Sequence, residues 1–264
     1  MQNRGRRTGR RTVAAIAAAG LIMAMSVGLL TGCSDTKIVV TTGLASNELF
    51  RIGSETCKLS EALVYLCNEK NQYENVYGIE MWDHNVGDMT LEEYLKNQVV
   101  SQLSQVKSMV LLADEREIVL TDTEKQKAAE AAQEYFTSLS EEEVSALKVS
   151  QEEIQTMYED YCLADKAYEQ ITGDEAVEIS DVFADNNGYY ILKCLNTYME
   201  SESEANKEKV ARQRKTERFH AIYSDLMEDT ISEFQQRMWD NIKFTDYDTV
   251  TTSNFFEVYQ EYFE

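Results

Sequence analysis

Cys33, preceded by Leu30-Thr31-Gly32, is the residue of this 264-residue chain whose setting implies the most definite chemistry. A cysteine after small residues and a long apolar run resembles the box at which bacteria acylate the thiol and cut the chain before it. The flanks fit, because Arg4, Arg6, Arg7, Arg10 and Arg11 precede an acid-free apolar stretch from Val13 to Leu30. A basic start, an apolar middle and a small-residue cut define an export signal and not part of a fold. Residues 1–32 are therefore expected to be a lipoprotein signal peptide and Cys33 the lipidation site. That places the remainder on the extracytoplasmic face of a bacterial membrane, lipid-anchored. As a permanent span the stretch is marginal, since crossing a bilayer takes about 20 apolar residues. The Arg6-Arg7 and Arg10-Arg11 pairs leave a twin-arginine route open, while Thr-Val-Ala after Arg11 favours general secretion.

The rest of the reactive inventory is sparse. Cys57, Cys67, Cys162 and Cys194 form no CxxC pair and no metal-ligand pattern, so buried free thiols are expected. The only histidines are His84 and His220, too far apart in sequence to read as a pair. His84 lies in Trp82-Asp83-His84-Asn85 with Asp88 nearby, a set that offers metal ligands but is far commoner as a surface loop. No nucleophile elbow, phosphate-cradling glycine loop or zinc-binding His-Glu motif occurs. Abundant carboxylates cannot be sorted into an acid and a base. No catalytic, cofactor-binding or metal residue is assigned, and enzyme function is unsupported.

Without residues 1–32 the chain carries 20 basic against 47 acidic side chains, a formal charge near −27. A nucleic-acid groove or a polybasic membrane patch needs clustered cations, so both are disfavoured as the main activity. Hydrophobic residues at 43%, with 15 Tyr and 9 Phe, exclude a disordered acidic tail. There is no proline, where average usage would give roughly 13. Together with only 11 glycines this favours long uninterrupted helices over a turn-rich β-sandwich.

Four Ser/Thr-x-x-Glu capping boxes mark helix starts: Thr90 with Glu93, Thr121 with Glu124, Ser140 with Glu143, and Ser150 with Glu153. After the first, Leu91, Leu95, Val99, Leu103, Val106, Val110 and Ala113 recur at helical spacing. After the last, Ile154, Met157, Tyr158, Tyr161 and Tyr168 share one side, either as core or as a groove for apolar segments. Leu49 to Gly53 reads as a short strand and turn, residues 59–71 as a helix, and Tyr73 to Asp88 as a packed aromatic loop. Asn187-Gly188 between two β-rich runs is a strong hairpin signal. A long helix is expected from about Ser203 toward Lys243, with the basic cluster Lys207, Lys209, Arg212, Arg214, Lys215 and Arg218 on a solvated face. Asn254 to Phe263 is expected to be a short aromatic helix that caps the core.

This order of elements resembles the extracytoplasmic peptidyl-prolyl isomerase lipoproteins of the SurA and PrsA type. The matching pieces are Phe50-Arg51-Ile52-Gly53 before a helix, Val110-Leu111-Leu112-Ala113 at a helix end, and Leu120 to Glu124 opening the next. Glu178-Ile179-Ser180-Asp181, Tyr189 to Leu195, and Ala205-Asn206-Lys207 with Arg214-Lys215 also match. The resemblance covers most of the chain after Cys33 as a pattern of elements. In that family a parvulin domain separates strands like 178–181 and 189–195, whereas here only Val182 to Gly188 does. An independent domain needs at least ~50 residues, so the isomerase domain looks excised.

The resemblance implies a mainly α fold: a multi-helix SurA-N-like chaperone domain with one small β-hairpin and a long C-terminal helix. The expected organisation is a flexible tether over 33–47, a helical chaperone-like domain over 48–175, a β-hairpin remnant of the parvulin sheet over 176–198, and C-terminal helices over 199–264 packing back on it. The implied function is a membrane-anchored chaperone-like lipoprotein that binds unfolded or nascent exported polypeptides without isomerase catalysis. Its expected partners are those polypeptides and the lipid bilayer through acylated Cys33, with no nucleic acid. Two alternatives stand: an active peptidyl-prolyl isomerase, and an assembly lipoprotein with one folded partner.

Overall fold

The computed structural model describes residues 38–39, 43–173, 200–230 and 232–264. Cys33 and the hairpin expected over 176–198 lie outside the described residues. What is described is mainly helical with a small sheet.

The chain enters through β1 (Ile38–Val39), inside the segment expected to be a tether. It continues through β2 (Glu48–Ile52) and β3 (Glu55–Lys58), joined by a tight turn at Gly53. Gly53 has φ +57, and a Cβ there would sit 2.9 Å from a Leu111 methyl, so glycine meets both backbone and packing demands. The sheet order is β1-β6-β2-β3, where β6 is Ser232–Phe234. β2 pairs antiparallel with both β3 and β6, and β1 pairs in parallel with β6.

From the sheet, α1 (Leu59–Tyr77) runs through the middle of the molecule. Its residues Ser60 to Asn71 are buried without a break: the apolar run Ala62 to Cys67 covers every side of the central turns, and the polar Ser60, Glu61 and Asn68 to Asn71 on either side of it are buried too. The helix outruns its expected end at residue 71, since nothing stops it before Gly78. A short 3₁₀ turn (Ile79–Asp83) and a small hairpin, β4 (Asn85–Val86) with β5 (Met89–Thr90), then reverse the chain. All four capping boxes form as reciprocal hydrogen bonds, and they open α2 (Leu91–Glu115), α3 (Asp122–Ser138), α4 (Glu141–Leu147) and α5 (Gln151–Thr172).

The helix expected to reach residue 243 stops earlier. Here α6 (Glu200–Asp229) ends, β6 follows, and α7 (Gln236–Asp240) and a second 3₁₀ turn (Phe244–Tyr247) complete the segment. Thr230 turns its hydroxyl onto the Leu226 carbonyl at 2.6 Å. Pairing of Ser232 to Phe234 with Ile52 to Phe50 then draws the chain into the sheet. Tertiary pairing overrides a helical pattern that carries no glycine or proline signal.

Last comes α8 (Phe255–Phe263), which packs against α3 and α1. Phe255 is 1% exposed and surrounded by rings: Tyr158 stacked at 4.6 Å, Tyr135 at 5.2 Å and Tyr65 at 5.3 Å. The approach to α8 is clasped through its backbone. Asn71 Nδ2 donates to the carbonyls of Val250 and Thr252, Gln72 Nε2 to that of Ser253, and Phe255 N donates to Asn68 Oδ1. Glu143 Oε1 accepts from the amides of Thr251 and Thr252, at 2.8 and 2.9 Å.

Replacing Phe255 with Ala is expected to cost about 3–5 kcal/mol, read by denaturant unfolding; a loss below about 1 kcal/mol would show that α8 is not integral to the core. Two carboxyls set opposite limbs of the pH dependence of stability, and Asp165, pushed up to about 6 by burial, adds to the same limb as Glu69. Burial pushes Glu69 up to about 7. Burial also raises Glu143, but the amides of Ser140, Thr251 and Thr252 outweigh it and pull the group down to about 2. In the unfolded chain both sit near 4.5. Native Glu69 thus keeps a proton that the unfolded chain releases, so stability declines as pH rises from 4.5 to about 7. Glu143 contributes stability above 4.5 that is lost as pH falls toward about 2. Thermal melts are expected to peak near about pH 5, and Glu69→Gln to flatten the limb above it. A melting temperature that rises steadily to neutrality would contradict this assignment.

Candidate functional site

The two outcomes expected for the Met157-Tyr158-Tyr161 stripe are resolved by α8. Tyr161 meets the Phe256 ring at 6.0 Å and the Tyr259 ring at 4.5 Å, and Met157 is 3% exposed. The stripe is core, and the space between α1, α3 and α5 is filled from within the chain.

Apolar surface persists elsewhere. Among the described residues six large hydrophobics are exposed by more than a third of their area, and five of them fall between residues 76 and 89. These are Val76 at 51%, Tyr77 at 67%, Ile79 at 69%, Val86 at 44% and Met89 at 39%. They cluster because the α1 terminus, the 3₁₀ turn and the β4-β5 hairpin fold into one tip. Gly78, at φ +78, lets the chain leave α1 while its N–H still bonds the Glu74 carbonyl at 2.9 Å. Leu91 N donates to the His84 carbonyl at 3.1 Å, closing the hairpin onto the start of α2.

Beneath this surface the tip is firmly seated. Trp82 stands edge-on to Phe244 at 4.6 Å, and its Nε1–H donates to Glu74 Oε1 at 2.7 Å. Tyr73 meets Trp82 at 6.4 Å and stacks on Tyr77 at 6.3 Å. Rigid exposed apolar surface on a folded protein marks a contact site more often than scattered single residues do. The expected packed aromatic loop is thus packed on its Trp82 side and exposed on its Tyr77 side.

The tip is also one-sided in charge. From Tyr73 to Glu93 there are six acidic residues and no Lys or Arg. Glu74, Glu92 and Glu93 are engaged with Trp82, the Phe244 amide and the Thr90 cap. Glu80, Asp83 and Asp88 are exposed and enter none of the side-chain hydrogen bonds or ion pairs among the described residues.

Of the residues singled out in the sequence, His84 is exposed at this tip, and His220 is half-buried on α6 beside Phe219 at 5.9 Å. Among the described residues no group of three or more His, Cys, Asp or Glu is placed to hold a metal ion. Cys57, Cys67 and Cys162 are free and buried. Burial raises all three thiols, Cys67 to about 12 and Cys162 to about 11, which leaves them unreactive near neutrality. On the basic stretch of α6, Lys207, Lys209 and Arg212 are exposed, and Lys215 pairs with Glu169 at 3.1 Å. No described helix is long and apolar enough to cross a membrane.

The signal that would have located the tip was present in the sequence: apolar residues interleaved with acids, lacking any basic residue, and following a glycine helix stop. Comparison with protein-family models, curated proteins and solved structures found no match. The site therefore stands on its own geometry.

Exposed side chains contribute little to folding, so the double substitution Tyr77→Ser/Ile79→Ser is expected to change stability by less than about 1 kcal/mol. Denaturant melts check this, and a larger loss would mark the tip as core.

Proposed function

We propose that this protein is a membrane-anchored extracytoplasmic chaperone-like lipoprotein, tethered through acylated Cys33, that binds unfolded or nascent exported polypeptides at the tip between residues 76 and 89. Isomerase catalysis is not part of this reading, and the scaffold is taken as SurA-N-like. The observation that carries it is the apolar set of Val76, Tyr77, Ile79, Val86 and Met89 left open to solvent. Side chains of this kind bind apolar segments by removing shared surface from water, at roughly 25 cal/mol per Å². The surrounding acidity keeps the loaded protein soluble.

A second reading, an assembly lipoprotein with one folded partner, draws on α8. With the space between α1, α3 and α5 occupied, the remaining apolar surface is compact, as a single specific contact requires.

Light scattering of several unrelated denatured proteins separates the two. The mature chain is expected to suppress their aggregation at near-equimolar ratio, and Tyr77→Ser/Ile79→Ser to abolish most of the effect. Suppression of none, with capture of one folded protein, would establish the second reading instead. In a tetrapeptide cis/trans assay no acceleration is expected, and a parvulin-like rate would overturn the proposal.

A further inference from the structure

The tip's charge specifies what it binds, an inference that rests on its reading as a polypeptide-binding site. We infer that the preferred occupant is an apolar segment flanked by lysine or arginine. Two sets of observations combine. The apolar cluster of Tyr77, Ile79, Val86 and Met89 supplies contact area without directional demands. Glu80, Asp83 and Asp88 lie in the same turn and hairpin, exposed and uncommitted to any neighbour.

The surroundings reinforce this sign. Lys70 is 4% exposed and bound to Glu74 at 3.1 Å, while Lys96 is buried and donates to the Ile242 carbonyl at 2.8 Å. On the adjoining segment Asp240, Asp246 and Asp248 outnumber Lys243. A basic group arriving beside the apolar cluster therefore meets several uncompensated carboxylates. An acidic flank meets repulsion from the same groups.

A second copy of this chain is a poor occupant, because two such tips bring like charges together. The acidic fringe equally disfavours an anionic lipid surface. A basic-flanked apolar polypeptide satisfies both halves of the site.

The test uses the mature full-length chain and two labelled peptides of about ten residues with the same Leu/Phe centre. One carries lysines at both ends and the other glutamates, and binding is followed by fluorescence anisotropy. The lysine peptide is expected to bind about tenfold tighter at ~0.1 M salt, where the screening length is ~10 Å. The difference is expected to shrink at ~1 M salt, where that length is ~3 Å. Glu80→Gln/Asp83→Asn/Asp88→Asn is expected to weaken the lysine peptide several-fold while leaving the glutamate peptide no weaker. Tyr77→Ser/Ile79→Ser is expected to weaken both. Equal affinity for the two peptides would overturn this inference and leave the proposed function standing. Binding of neither peptide, or binding indifferent to Tyr77→Ser/Ile79→Ser, would overturn the proposed function itself. Self-association abolished by that same substitution would assign the tip to a second copy and overturn both.

Discussion

A helix buried on every side depends on partners for the polar groups it carries, and α1 is buried for twelve consecutive residues, with most of those groups met and Asn68 Nδ2 left unpaired among the described residues. Near its start, Glu61 holds Lys107 of α2 at 3.0 Å, and Asp160 of α5 holds the same ammonium at 2.6 Å. Burial opposes the charge on Lys107, but the two carboxylates outweigh it and raise the ammonium above its ordinary value. Removing Lys107 would leave Glu61 and Asp160 facing each other without their shared cation, which is why such clusters constrain how helices may be arranged. Near its end, Asn68, Asn71 and Gln72 are met by the backbone of Val250 to Phe255.

That second arrangement ties the two ends of the fold. A helix near the start of the body is satisfied by chain from its last fifteen residues, at separations of 179 to 187 residues. Contacts of such separation carry a loop-closure cost that slows folding. Until α8 arrives, Tyr65, Tyr135 and Tyr158 lack their shared ring partner and the clasping amides lack acceptors. Completion of the core and satisfaction of its polar groups are therefore one event.

Much of the fold was legible because local chemistry and tertiary structure agree. The four capping boxes fix their helix starts through bonds among residues three apart, and the α2 stripe buries Leu95, Val99 and Leu103. Agreement fails where a distant segment decides. The end of α6 is set by β6 joining β2, and nothing within residues 226–234 announces it. Whether Met157 and Tyr161 would be core or groove was equally undetermined by helical spacing, because α8 supplies the answer from about a hundred residues away. At the tip, aromatic composition alone does not separate packed rings from exposed ones. Trp82 and Tyr77 are alike in composition but differ in which has Phe244 beneath it.

The pairing of β1 with β6 has a consequence for reach. Only residues 34–37 separate Cys33 from Ile38, and five Cα steps extend at most about 18 Å. If Cys33 is acylated as proposed, the sheet lies within that reach of the lipid, and α1 carries the tip away from the sheet along a length of about 28 Å. Under that proposal, whatever the tip binds is separated from the sheet by the length of one helix.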